Sequence, residues 1–145
     1  MNFLLRVASL VVVLGIAVAA QSGEVTCDSK LEYANKNQID YTVSVKSLRG
    51  VVEDLNGVRL PKACVGLFSS DGTRLLQVKE ADENGEFQIT NVRNGEYRLL
   101  IRDSQRLLCP VNAVLRVGKD SRLRRVVAHM KPQGIDECSW CEAQE

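Results

Sequence analysis

Between Gly85 and Ile101 apolar and polar side chains alternate. Phe87 and Ile89 stand among Glu86, Gln88 and Thr90, and Tyr97, Leu99 and Ile101 repeat the pattern after Asn94-Gly95. A period of two gathers one set of side chains on a single face of extended backbone, and a helix would scatter it. Asn-Gly tolerates the positive φ of a tight connection. The stretch therefore predicts two half-buried strands joined as a β-hairpin or as a corner between sheets.

The same period runs through the chain. Ile39, Tyr41, Val43 and Val45 share one face, and Leu48, Gly50 and Val52 share a face after a change of parity, which predicts a bulge or break near Lys46-Ser47. After Pro61, the residues Ala63, Val65 and Leu67 alternate with Cys64, Gly66 and Phe68, so Cys64 is expected to point away from the core. Further strands are expected at Leu75–Lys79, at Val111, Ala113, Leu115 and Val117, and from Leu123 to Met130. Turn signals at Asp54-Leu55-Asn56-Gly57, Ser69-Ser70-Asp71-Gly72, Asp82-Glu83-Asn84-Gly85 and Gly118-Lys119-Asp120 separate them, and no stretch shows a helical period. The pattern is that of an all-β sandwich over residues 39–131, with a polar N-terminal extension at 21–38 and a Cys-containing tail at 132–145.

Residues 1–20 have the build of a signal peptide. Arg6 precedes an apolar run from Val7 to Ala20, interrupted by Ser9 and ending on the small residues Val18-Ala19-Ala20. The run is shorter than the about 20 residues a transmembrane helix needs, so cleavage near Gln21 and no membrane span afterwards are expected. Loss of Arg6 takes the 19 Lys+Arg to 18, equal to the 18 Asp+Glu, which disfavours nucleic-acid binding through a basic field. The mature protein is thus expected to be secreted or periplasmic.

All five cysteines (Cys27, Cys64, Cys109, Cys138 and Cys141) lie in the exported part and are disulfide candidates, with pairing open. The odd number leaves one thiol free or available for a covalent dimer. Cys138-Ser139-Trp140-Cys141 has redox-motif spacing, but such motifs work at a helix N-terminus, and this one ends a β chain. Structural disulfides fit the compartment better, with a tether from the tail to Cys27 as one arrangement. His129 with Asp136, Cys138 and Cys141 could also compose a zinc ligand set.

Val52-x-Asp54-x-x-Gly57-x-x-Leu60-Pro61-x-Ala63-x-Val65-x-Leu67, followed by Asp82-x-x-Gly85-x-Phe87-x-Ile89-x-x-Val92-x-x-Gly95-x-Tyr97-x-Leu99-x-Ile101, resembles the carboxypeptidase regulatory-like domain. Lys62 stands where that family commonly has Gly. The resemblance implies a prealbumin-like, Greek-key β-sandwich of about seven strands with a non-catalytic role. The zinc-peptidase signature His-x-x-Glu is absent, and the fold's hydrolase relatives use more than one His and a Tyr-Arg-Gly-Ser tail, neither of which this chain has.

The remaining motifs are ordinary in this frame. Asp82-x-Asn84-Gly85-Glu86 lacks the third early ligand and the distal Glu of a calcium loop and suits a tight turn. Arg116, Lys119, Arg122, Arg124, Arg125 and Lys131 make the last hairpin basic, while Asp136, Glu137, Glu142 and Glu145 make the tail acidic, so the tail is expected to fold back or the charges to solvate an edge. The Tyr97 hydroxyl is expected to cap a corner. Together these features predict an exported binding or structural module without cofactor or metal, whose partner is a protein or a carbohydrate. The alternative is a thiol-active or zinc-binding protein using the CxxC.

Overall fold

A computed structural model of the chain describes Cys27, Leu31, residues 41–133 and residues 139–145. The described residues form nine strands and no helix: β1 Tyr41–Val45, β2 Arg49–Asp54, β3 Cys64–Phe68, β4 Leu75–Glu80, β5 Glu86–Gln88, β6 Gly95–Arg102, β7 Val111–Val117, β8 Arg125–Met130 and β9 Trp140–Gln144. They make a β-sandwich of two sheets, ordered β1-β7-β6-β3-β4 and β5-β2-β8-β9. Both sheets are mixed, because β1 pairs parallel with β7 and β2 parallel with β8.

Two of the expected irregularities are crossings between sheets. The parity change at Lys46-Ser47 carries the chain from β1 in the first sheet to β2 in the second. The Phe87-to-Tyr97 stretch is a corner, since β5 belongs to the second sheet and β6 to the first. Tyr97 donates its hydroxyl to the Arg93 carbonyl at 2.9 Å, closing that corner over four residues. Its left-handed residue is Asn91, at φ 61°.

The core is the overlap of the two inner faces. Val43, Val45, Val65, Leu67, Leu99, Ile101, Ala113 and Leu115 from the first sheet meet Val52, Phe87, Val126, Ala128 and Met130 from the second. Gly50 lets the Phe87 ring lie against its backbone: a Cβ there would come within 2.8 Å of the ring and 2.2 Å of the Val126 carbonyl oxygen. Asp54 and Asp82 build twin turns. Each Oδ1 accepts the backbone N–H of the residues two and four further on, at 2.8 and 2.9 Å in both, with Gly57 and Gly85 in the left-handed region. Lys62, at φ 60°, occupies the conformation that the expected Gly would take without strain.

Two strands exceed the expected seven, and one of them lies in the stretch read as a tail. β9 pairs antiparallel with β8 and sends Cys141 into the core. The expected last hairpin is instead a crossing between sheets, with β7 in the first and β8 in the second, and β9 with Glu142 folds back onto β8 as an edge strand. Cys27, from the N-terminal extension, is joined to Cys64 at the start of β3, with a Cα–Cα distance of 5.3 Å. Cys64 does face away from the core, yet it is buried. An intrachain disulfide of this kind belongs to an oxidising, extracytoplasmic environment.

Candidate functional site

β3 is buried along its whole length, on both faces. Its inner residues Val65 and Leu67 enter the core, and its outer residues Cys64, Gly66 and Phe68 are covered too. Leu31 supplies part of that cover, with its Cδ1 3.1 Å from where a Gly66 Cβ would stand. Leu31 and the disulfide partner Cys27 thus lie on the outer side of β3.

The outer face of the second sheet is different. The registers align Gln88 with Arg49 and Arg125 with Gln144, while Gly50 and Val126 are partners, so Arg49 and Arg125 stand side by side. The first row across this face is accordingly Gln88, Arg49, Arg125, Gln144. The second is Glu86, Val51, Val127, Glu142, and the third brings Glu53, His129 and Trp140 together. Val51 and Val127 are buried on an outward face because their long polar neighbours lie over them.

The polar side chains form one chain of contacts. Arg125 Nη2 donates to Gln144 Oε1 at 2.9 Å, and Gln144 Nε2 donates to Glu142 Oε1 at 2.8 Å. Glu142 lies 3.5 Å from His129 Nε2, whose Nδ1 is 3.2 Å from Glu53, and Glu53 is held by Arg59 at 3.3 Å. The His129 ring stacks on Trp140 with centroids 4.8 Å apart, and Lys131 Nζ sits 5.0 Å from the Trp140 ring centroid. The Gln144 amide holds the Glu142 carboxyl below the usual carboxylate range; burial opposes it, and the His129 contact adds to it.

This register decides where the expected site residues fall. His129 pairs with Trp140 and Ala128 with Cys141, so His129 points outward while the Cys141 thiol points into the core. The two cannot ligate one ion as the sheet stands, and the described residues contain no group of three His, Cys, Asp or Glu able to hold a metal. Burial pushes the Cys141 thiol up to about 12. Among the described residues Cys141 is the free cysteine, and it is buried. Cys27 is taken by Cys64 and so does not tether the tail. Cys109 is disulfide-bonded, and Cys138 and Asp136 lie outside the described residues.

A groove of 660 Å³ opens where the edge strands β4 and β5 diverge, and it runs onto the Arg49–Arg125 row. Arg49, Arg125 and Lys79 line it on one side of the charge balance, and Glu80, Asp82, Glu86 and Glu145 on the other. Of the basic residues noted in the sequence, only Arg125 contributes; Arg116 is paired with Glu96 at 3.1 Å. Arg49, Gln88 and Gln144 carried no motif. They are outward residues of alternating strands, and only the pairing of β2 with β5 and β8 brings them together. Compared with protein-family models and with curated proteins, the chain matches none.

Proposed function

We propose that this protein is an exported, non-catalytic β-sandwich module that works by binding, in the periplasm or outside the cell, after removal of residues 1–20. The observation that carries this reading is the register of β8 against β9, which turns the Cys141 thiol and the His129 imidazole to opposite faces of one sheet. A thiol at about 12 is protonated at neutral pH and is a poor nucleophile and metal ligand. His129 has a carboxylate at each ring nitrogen and an indole on its face, an arrangement that orients a side chain rather than freeing it for proton transfer. The spacing of Val52 through Leu67 and Asp82 through Ile101, with the Tyr97 corner, supports likeness to the carboxypeptidase regulatory-like domain.

The test is thiol and zinc content of the folded, exported protein. Native protein should give no reaction with a chromogenic disulfide reagent at pH 8 and one thiol per chain in urea, with no stoichiometric zinc. A thiol that titrates in the native state, or one zinc per chain, would transfer the function to the CxxC.

A further inference from the structure

Arg49 and Arg125 are like charges on adjacent strands, a placement that costs stability unless an anion lies between them. Among the described residues neither is ion-paired: the bridges are those of Arg59, Arg116 and His129. Each guanidinium spends one N–H on the protein, Arg49 Nε on the Arg124 carbonyl at 3.3 Å and Arg125 Nη2 on Gln144 at 2.9 Å. A guanidinium has five N–H groups, so both retain a fork of donors. The row is fixed at one end by the Gln144 amide and opens into the 660 Å³ groove, a volume typical of small-molecule clefts of about 300–1,000 Å³.

The acids in the groove narrow the ligand. Asp82 is occupied by its own turn, but Glu80, Glu86 and Glu145 remain as acceptors around the cationic row. They oppose a compact dianion such as phosphate and suit a sugar whose singly charged carboxylates sit on separate rings, one of them on the cationic row with hydroxyl donors toward the acids. Phe87, the aromatic ring of the groove, is buried, so recognition is ionic and hydrogen-bonded rather than by ring stacking. The geometry points to a binding site for an acidic saccharide of the uronic-acid class, with its carboxylate on Arg49 and Arg125 and its hydroxyls shared among Gln88, Glu80 and Glu86. This rests on the binding-module reading and names its ligand class.

Isothermal titration of the exported protein with digalacturonate, its dimethyl ester and inorganic phosphate tests it. Digalacturonate should bind, the neutral ester and phosphate should bind at least about tenfold more weakly, and Arg49→Gln/Arg125→Gln should weaken digalacturonate by about tenfold or more. Raising salt from about 20 to about 300 mM should weaken binding, and Glu96→Gln, on the first sheet and away from the groove, should leave it unchanged. Absence of digalacturonate binding, phosphate binding as tightly, or binding indifferent to the double variant would each overturn the inference. The binding-module reading would survive such a result with Cys141 still silent, and would fall if the native thiol reacted.

Discussion

The two outward faces of this sandwich are built on the same period-two strands and end in opposite states. On the first sheet, Cys64, Phe68, Leu100 and Asn112 face outward yet are buried, with Leu31 against Gly66 of β3 and Cys27 bonded to Cys64. On the second, Arg49, Arg125, Glu86, Gln88 and Glu142 are exposed, and a polar network replaces a cover. A sheet face that is apolar needs something laid on it; a face of long charged side chains shields its own buried valines and stays available to a ligand. The same fold thus separates a structural face from a binding face.

The largest effect should come from opening the structural face. Cys27→Ser/Cys64→Ser frees a loop with a sequence separation of 37, which by chain entropy should cost about 4 kcal/mol, read by urea denaturation, and should raise binding of a hydrophobic dye. Glycines sharpen the contrast next. Gly50→Ala drives a methyl to 2.2 Å from the Val126 carbonyl oxygen between two hydrogen-bonded strands and should cost about 3 kcal/mol. Gly66→Ala meets the movable ends of Leu31, Phe68 and Leu75 at 3.0–3.4 Å and should cost about 1 kcal/mol, by loosening the cover rather than the sheet. On the binding face, His129→Ala should cost about 1 kcal/mol, because it leaves Glu53 and Glu142 facing each other without their shared donor. The pH dependence distinguishes core from surface. Burial raises the Cys141 thiol from 9.0 to about 12, so its contribution is present below the unfolded value and lost as pH climbs from 9 toward 12. Asp71, held at about 2 first by the Ser69 hydroxyl and then by Thr73, contributes above the ordinary carboxylate value and loses it as pH falls toward 2. Titration of each group by NMR checks both directions.

Much of this was legible in the residues themselves. Val111, Ala113, Leu115 and Val117 announced a core strand by alternation, and all four are buried. The Asp-x-Asn-Gly turns were readable because their hydrogen bonds are local. The run Cys64-Val65-Gly66-Leu67-Phe68 was read as a strand with one core face and Cys64 pointing away from it; its outer face is buried too, and part of what covers it is bonded to a partner 37 residues away in sequence. The groove was illegible for a related reason. Arg49 and Arg125 are 76 positions apart and meet through the parallel pairing of β2 with β8, a contact that no local pattern encodes. Residues 140–144 were masked as a tail because a lone edge strand ending a chain has few alternating positions; Cys141 and Ala143 are its inward pair.

The separation of a sealed face from an open one can be measured directly by NMR with a soluble gadolinium chelate, on the oxidised protein and on Cys27→Ser/Cys64→Ser. In the oxidised protein the side chains of Leu100 and Phe68 should be protected while those of Arg49 and Arg125 relax strongly; in the variant Leu100 and Phe68 should lose protection, with Val51 and Val127 unchanged. Leu100 and Phe68 relaxing as fast as the arginines in the oxidised protein, or staying protected without the disulfide, would contradict the account.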